Sequence, residues 1–341
     1  MSAVRTPTRP RPTAARPILV AAALVALIGA CGLARLMLGP RVFLLGDLWL
    51  VATGQATTFA AFSVLQDRLP ALVAAALAGI GLSLAGALYQ RLLGNPLASP
   101  DIIGIGYGAS AATVIGMLVL GWSGLALAGA ALLGAVMVAA AIMLLAASRA
   151  GGFGDRLVLA GIAIGAMLAG VVQFLVSRAD VRVAQGALRW LSGDVTGVAW
   201  LDLAILAGGV GVLAVAAGLL SRPLAVLELG DDTARSLGVR AGAVRIAVIA
   251  VGAALTAVVV AFIGPLAFVA LMAHPLARRL GGGRGGLALT ALTGAALTVA
   301  ADLASAHLFG LGSGVPAGLV TGALGAPFLL WQLARTREAR A

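Results

Sequence analysis

Residues 221–245 read SRPLAVLELGDDTARSLGVRAGAVR and interrupt a very apolar chain with seven charged side chains in 25 residues. The stretch is too polar to cross a bilayer and too short to fold as a domain. Pro223 suits a first helical position and Gly230 a left-handed stop, which predicts one short helix. Asp231 then caps a second short helix, which Gly238 ends. Two short helices between apolar runs indicate a docking surface for another protein, and we call residues 221–245 the docking segment.

The composition of the whole chain predicts a polytopic helical membrane protein. Of its 341 residues, 61% are hydrophobic and 10% are charged, and the mean hydropathy is +1.09. Soluble domains carry about 25% charged residues. Only helices and closed barrels satisfy their backbone polar groups inside a bilayer. Long apolar runs, rather than short alternating segments, select helices, so the predicted fold class is all-α.

Every basic residue is an arginine, which limits the chemistry of the chain. A Walker A loop needs a lysine to bind phosphate, so any ATP that drives this protein must be hydrolysed by a partner subunit. Cys31 is the only cysteine, and His274 and His307 do not form a metal-ligand spacing. We therefore predict that the chain is not an enzyme and binds neither a cofactor nor a metal.

Ten apolar stretches are predicted to cross the membrane, and together they make one domain over residues 18–334. Residues 1–17 are predicted to be a disordered basic tail, and residues 335–341 a second tail. Residues 40–69 are predicted to be an external segment, and the eighth stretch to be broken at His274-Pro275. The stretches are Ile18–Leu38, Pro70–Leu93, Ile102–Leu120, Leu125–Ala147, Leu157–Val176, Leu203–Leu220, Ile246–Ile263, Pro265–Leu280, Leu287–Ala306 and Pro316–Leu333.

The arginines are distributed unevenly between the two sides of this topology. Seventeen lie in the tails and loops on the side that holds both termini, and six lie on the other side. Arginine-rich loops stay in the cytoplasm. We therefore predict a multi-pass cell-membrane protein with both termini and the docking segment in the cytoplasm. The net charge of +11 has the same origin, so it does not indicate nucleic-acid binding.

Three further polar features each have two interpretations. Asn95, Pro96 and Leu97 lie in a break that is either a turn before the third span or a cytoplasmic elbow that contacts a partner. Arg68, before the second span, either anchors that helix at the interface or meets an acidic protein partner. Asp302, near the outer end of the ninth span, either binds a neighbouring group or couples transport to protons.

Seven separated motifs extend along nearly the whole chain. They read DRLP (67–70), GALYQRLLGNPLASPDIIGIGYGA (86–109), LVLAGIAIGA (157–166), LELGDDTARSLGV (227–239), GPLAFVALMAHPLARRL (264–280), ADL (301–303) and PAGLVTGALGAPFLLW (316–331). In this order they resemble the FecCD-type ABC importer permease family, which imports iron–siderophore chelates, haem and vitamin B12. The resemblance is specific for the family and not for the substrate.

The resemblance implies a type II importer permease with several partners. These are a second permease, a dimer of cytoplasmic P-loop ATPases that hydrolyse ATP, and an extracytoplasmic substrate-binding protein. It implies that Arg68 meets the binding protein and that Gln173, Pro316 and Gly318 lie near the transport pathway. The residues that match the family's ATPase-coupling loop are Gly230, Asp231, Asp232, Thr233, Ala234, Arg235, Ser236, Leu237 and Gly238.

The chain departs from the family pattern at the predicted outer face. Ala71 stands where the family commonly has a second arginine, Gly314 stands in place of a glutamate, and an arginine is absent at Ala306-His307. The order of His274-Pro275 is reversed, so no role is transferred to this histidine. The missing contacts favour a heterodimer in which a sister permease supplies them, with a homodimer as the alternative.

We therefore predict the membrane subunit of an ATP-driven importer of iron(III)–siderophore-type chelates, whose halves alternate access. One alternative is the same machine carrying vitamin B12 or haem. The other, from a different class, is a proton-coupled secondary transporter that uses Asp302. Within the docking segment, Asp231, Asp232 and Arg235 fit two roles equally well, as contacts for the ATPase or as helix caps and a local ion pair.

Overall fold

The computed structural model describes residues 15–101, 103–146, 153–283, 286–307 and 315–338. These residues form helices joined by turns, and none of them forms a strand. A π-helical turn, Ser63–Arg68, joins the third helix to the fourth. The helices are α1 (Ala15–Met37), α2 (Leu45–Ala52), α3 (Thr58–Phe62), α4 (Leu69–Leu93), α5 (Ile105–Leu118), α6 (Leu125–Ala146), α7 (Phe153–Arg178), α8 (Val181–Leu191), α9 (Trp200–Leu227), α10 (Asp231–Ser236), α11 (Ala241–Ile263), α12 (Val269–Leu280), α13 (Leu287–His307) and α14 (Ala317–Glu338).

Every predicted span coincides with a helix, but the helices differ in length. Within the described residues, seven helical stretches are long and apolar enough to cross a membrane, and they contain α1, α4, α6, α7, α9, α11 and α13. α5 and α14 are shorter apolar helices, and α12 has 12 residues. The all-α polytopic class is confirmed, while the count of ten spans stays a prediction.

α4 lies at the centre of the bundle, where it packs against α9, α11, α12 and α13. Glycines let its backbone approach these neighbours closely. A Cβ atom at Gly79 would collide with the carbonyl oxygen of Gly294 on α13, and one at Gly86 would collide with that of Ala270 on α12. In lipid there is no hydrophobic force between helices, so such close backbone packing stabilises the bundle instead.

The Gly86 contact gives a first prediction. Gly86→Ala is expected to destabilise the protein by about 1–3 kcal/mol, because the opposing atom is backbone and cannot rotate away. Gly208→Ala on α9 is the matched control, since a Cβ atom there meets nothing within 4 Å. The control is expected to be neutral or stabilising by up to about 1 kcal/mol, because alanine favours helices. The free energy of unfolding of both purified variants is measured in detergent. Equal changes in the two variants would contradict the close packing at Gly86.

The structure corrects the prediction that the eighth span is broken at His274-Pro275. α12 continues through this proline, which removes the N–H that would bond the carbonyl oxygen of Leu271. Gln90 on α4 supplies the missing donor, because its Nε2 lies 3.1 Å from that oxygen. α12 is short at its start instead, since the residues before Val269 are not helical.

Other helix boundaries also differ from the predictions. α9 runs through Pro223 to Leu227, so the first short helix predicted in the docking segment is the end of the sixth span. Pro223 cannot donate to the carbonyl oxygen of Leu219, but the helix continues past it to Leu227. α1 begins at Ala15 and α14 continues to Glu338, so parts of both predicted tails are helical. The remainder of both tails lies outside the described residues.

Residues 40–69 form a small helical layer at the end of the bundle opposite the docking segment. The indole Nε1 of Trp200, the first residue of α9, donates to the carbonyl oxygen of Leu65 at 3.0 Å. The other end of α9 leads into the docking segment, which fixes the two regions at opposite ends. The layer has its own apolar cluster, made of Phe43, Val51, Ala60 and Val64.

Candidate functional site

The docking segment contains one short helix, α10, which lies against the end of the bundle. Gly230 and Gly238 flank it with φ angles of 102° and 77°, so both glycines adopt the positive φ that was predicted. Gly230 opens α10, however, and does not end a separate earlier helix. Ala234 is fully buried against the ends of α9 and α11. The short helix therefore has a fixed position on the bundle.

Asp231 does not cap α10 as predicted. The N-cap residue is Gly230, which has no side chain to accept a capping hydrogen bond. The Oδ1 atom of Asp231 instead accepts a hydrogen bond from Nη2 of Arg245 at 2.6 Å. Because Arg245 belongs to α11, this ion pair ties the short helix to the next span.

A second ion pair ties the docking segment to the central helix. Arg91, in the last turn of α4, has its Nε 2.6 Å from Oε1 of Glu228, and its Nη2 donates to the carbonyl oxygen of Ser221 at 3.3 Å. Partly exposed ion pairs contribute little to stability, at most about 1 kcal/mol each. Their effect here is positional, since they connect the segment to α4 and α11.

The side of the docking segment that faces away from the bundle is partly apolar. Leu229 and Leu237 expose 66% and 62% of their surface. Asp232 and Arg235 form an exposed pair on α10, with 3.2 Å between Oδ1 and Nη1. Of the two roles considered for the charged residues, the structure thus shows ion pairs within the chain. The two leucines are the groups that a partner protein would bury.

Asn95, Pro96 and Leu97 form the turn that ends α4. Gly94 has a φ of 59°, and Oδ1 of Asn95 accepts a hydrogen bond from the backbone N–H of Leu97 at 2.9 Å. The first interpretation, a turn, is therefore what the structure shows, and the turn is exposed beside the docking segment. Beyond this turn, burial raises the pKa of the Asp101 carboxyl to about 6, because desolvation disfavours its charged form.

A groove of about 1060 Å³ joins this elbow to the docking segment and to the end of α12. Arg278 and Arg279 lie on its α12 side, and no acidic residue in the described part of the chain forms an ion pair with either. The buried Oε1 atom of Gln90 also lines it and accepts no hydrogen bond from the described residues. The groove includes Glu228, Gly230 and Asp231 of the docking segment, so the groove and the segment's exposed leucines together make the candidate docking surface.

Arg68 is buried rather than displayed on the outer surface. It is 3% exposed, and its guanidinium donates to the carbonyl oxygens of Leu36 at 2.7 Å and Arg41 at 2.8 Å. The same group lies over the ring of Phe43, 4.7 Å from its centre. The structure corrects the prediction that Arg68 meets a binding protein, because the protein itself encloses the charge. Arg68 anchors the start of α4, which was the other interpretation.

Asp302 also has a partner within the bundle. Its Oδ2 lies 2.8 Å from Nε of Arg35, which ties α13 to α1, and the residues are 1% and 6% exposed. Of the two interpretations of Asp302, the structure supports the bond to a neighbouring group. His274 is used similarly, with Nδ1 2.9 Å from Oγ1 of Thr290.

The three predicted pathway residues do not lie together. Gln173 is exposed on α7, on a face with several exposed apolar side chains. Pro316 and Gly318 are buried, and the N–H of Gly318 donates to the carbonyl oxygen of Gly193 at 3.0 Å. These two residues therefore fix the start of α14 against the turn after α8. The prediction that all three residues lie near the transport pathway stays a prediction.

Sequence reasoning missed the residues that attach the docking segment to the bundle. Arg91 and Arg245 were counted only as cytoplasmic arginines, and Gln90 was not considered. A detectable signal was present for Arg245, which lies within a turn of a span start with Asp231 in the preceding loop. No local signal pairs Arg91 with Glu228, because they are 137 residues apart in the chain. No signal in the sequence pairs Gln90 with Pro275, since α4 and α12 are far apart along the chain.

The Asp231–Arg245 pair gives a second prediction. Asp231→Arg and Arg245→Asp alone are each expected to raise hydrogen exchange of the α10 amides at least about fivefold, because loss of about 1 kcal/mol frees the helix. The double variant restores the pair and is expected to return most of the protection. Arg222→Asp, an exposed reversal outside both pairs, is the control. Exchange unchanged in the single variants would contradict the attachment.

The bundle of long apolar helices defines a polytopic membrane protein. Residues 23–335 match the model of the FecCD transport family. The chain therefore belongs to the FecCD transport family, whose members are permease subunits of ABC importers.

Curated relatives and a solved structure agree with this assignment. The chain is 38% identical to the achromobactin transport system permease of Dickeya dadantii, covering 92% of this chain and 89% of the relative. It is 35% identical to the ferric enterobactin transport system permease of Escherichia coli, with coverages of 89% and 93%. It is 36% identical to the vitamin B12 import system permease of Vibrio cholerae, with coverages of 86% and 89%.

The fold matches that of a solved structure described as an inward-facing conformation of a metal-chelate type ABC transporter. The TM-score is 0.82 over 93% of this chain and 99% of that chain, at 23% identity. At this identity the comparison shows the shared fold.

Proposed function

We propose that this permease imports iron(III)–siderophore-type chelates, driven by ATP that a partner subunit hydrolyses. The observation that carries the proposal is the docking surface. Exposed leucines lie on a segment that ion pairs attach to α4 and α11, so a force applied there reaches the centre of the bundle. Such a surface suits a protein that is moved by a partner and performs no chemistry of its own.

The mechanism follows from these attachments. A dimer of cytoplasmic P-loop ATPases docks on residues 228–238 and on the elbow at residues 95–97. ATP binding brings the two ATPases together, and each displaces the docking segment that it holds. The pairs Arg91–Glu228 and Arg245–Asp231 transmit this displacement to α4 and α11. The bundle then alternates between inward and outward access, with both termini in the cytoplasm.

The transport pathway forms between this chain and a second permease. The exposed face of α7 around Gln173 is apolar, which suits a chelate whose iron charge is enclosed by organic ligand. We favour a heterodimer, in which the second permease is a related but different chain, over a homodimer. An extracytoplasmic binding protein delivers the chelate at the opposite end from the docking segment, where Arg182 at the start of α8 is exposed.

The choice of chelate rests on the relatives. The achromobactin and ferric enterobactin permeases support an iron–siderophore chelate, while the vitamin B12 permease supports the alternative cargo. The proton-coupled alternative loses its support, because family membership assigns an ABC importer and Arg35 already neutralises Asp302.

Uptake into proteoliposomes tests the proposal. The chain is reconstituted with its ATPase, its binding protein and each candidate second permease, and a panel of catecholate, carboxylate and hydroxamate ferric chelates, haem and cobalamin is offered. ATP-dependent uptake of a ferric chelate is expected. Uptake of cobalamin or haem alone would replace the proposed cargo. Full uptake with no second kind of permease present would establish the homodimer.

A further inference from the structure

The layer opposite the docking segment has an apolar face that no described residue covers. We call residues 41–62, which include α2 and α3, the surface layer. Trp49 is 69% exposed, and the other large apolar side chains on this face are more than half exposed. They are Val42, Leu44, Leu45, Phe59 and Phe62. Isolated exposed apolar residues are ordinary, but a continuous set on one short segment needs an occupant.

The opposite face of the layer is already occupied. Phe43 and Val51 point inward into the layer's own cluster, which also contacts Leu36 at the end of α1. Arg68 closes its base by bonding two backbone carbonyls. The exposed side chains are therefore not displaced core residues, because the layer already has a packed core on its other side.

The uncovered face offers few charges to a protein partner. The surface layer contains two charged residues, Arg41 and Asp47. Oδ2 of Asp47 accepts from the backbone N–H of Leu44 at 2.8 Å, and the guanidinium of Arg41 lies over the ring of Phe59 at 5.7 Å. Protein interfaces of the transient kind rely on polar rims and charge complementarity, for which this face provides only these two charged residues.

The face is continuous with a surface that lipid covers. α1 precedes the layer directly, and 11% of its most apolar window is buried inside the protein. Leu33 and Leu38 near its end are exposed by 41% and 40%, and they lead into Val42 and Leu44. Trp200 and Trp122 are also exposed at this end of the bundle. Tryptophans gather where a membrane protein crosses the headgroup region.

We propose that the surface layer lies along the headgroup–acyl boundary of the leaflet opposite the docking segment, with Trp49 and its apolar neighbours inserted among the lipids. The layer is then an interfacial anchor. Arg68 links it rigidly to the start of α4, so the anchor sets the depth of the central helix while the far end of that helix is moved through the docking segment.

Depth-dependent fluorescence quenching tests this. A variant that retains Trp49 and has phenylalanine at the other four tryptophans is placed in nanodiscs. The lipids carry a nitroxide either near the top of the acyl chain or near its end. Quenching several-fold stronger by the upper label is expected. The control is a probe in the same layer but on its polar turn, Gln55→Trp in a background without other tryptophans. It is expected to respond to iodide in water and little to either lipid label.

Three results would overturn the inference. They are equal iodide quenching at positions 49 and 55, stronger quenching of Trp49 by the deep label, and shielding of Trp49 only when the binding protein is added. The last would make the layer a protein docking face. If the tryptophan replacements prevent folding, Leu44→Cys and Gln55→Cys in a Cys31→Ser background keep the tryptophans. A membrane-impermeant maleimide should then label position 55 several-fold faster than position 44, and equal rates would contradict the anchor.

Discussion

Asp302→Ala is expected to destabilise the protein by about 3–5 kcal/mol, because it leaves the charge of Arg35 buried without a partner. The pair joins α1 to α13 and both residues are almost fully buried, so neither side chain can turn to water. The measurement is the folded fraction of purified protein in detergent against temperature. We expect the variant to unfold well below the parent.

The matched variant removes both members of the pair. Arg35→Met with Asp302→Leu leaves no buried charge, so stability is expected to return close to that of the parent or above it. Per folded molecule, ATP-driven uptake by this double variant should equal that of the parent. A folded double variant that no longer transports would show that Asp302 takes part in transport, and the structural account of this residue would be wrong.

The second large effect is expected at the exposed leucines of the docking segment. Leu229→Asp with Leu237→Asp should lower ATP-driven uptake by at least about a hundredfold, because burying a leucine at an interface contributes about 1.5–3 kcal/mol and both leucines are replaced by charges. The fold should be unaffected, since both side chains are exposed and outside the buried cluster. Uptake into proteoliposomes and the unfolding midpoint are measured together.

A control separates docking from a general effect of charge. Leu280→Asp makes the same chemical change at the same end of the bundle, on the last residue of α12, which is 36% exposed and does not line the groove. It is expected to reduce uptake no more than about threefold, in the range of an ordinary surface substitution. If Leu280→Asp were as damaging as the pair at positions 229 and 237, the loss would reflect the whole cytoplasmic end rather than this surface.

The positions of the membrane helices were predictable because each is a long apolar run in the sequence. The docking segment was predictable because its charged residues interrupt those runs. The positive φ of Gly230 and Gly238 also followed from residue type. What the sequence did not show is which groups meet across the bundle. Gln90 donates to the carbonyl oxygen that Pro275 leaves without a partner, and this contact joins two spans far apart in the chain. Local rules cannot foresee it, so they predicted a helix break at Pro275.

For Arg68 and Asp302 the structure supports the structural interpretation over the functional one, and the reason is related. Sequence position near a span end suggested exposure, but burial depends on what packs over that end. The loop that follows α1 folds back over Arg68, and α1 itself brings Arg35 to Asp302. A charged residue at a span end can thus bind groups within the bundle as readily as it can contact a partner protein.

The central claim is that the partner ATPase docks on residues 228–238. The most direct test is the affinity of the purified ATPase for the permease in nanodiscs, compared among the parent, the double leucine variant and Leu280→Asp. The account predicts tight binding to the parent and to Leu280→Asp, with binding to the Leu229→Asp, Leu237→Asp protein weakened by at least about a hundredfold. Equal affinity for all three would contradict it.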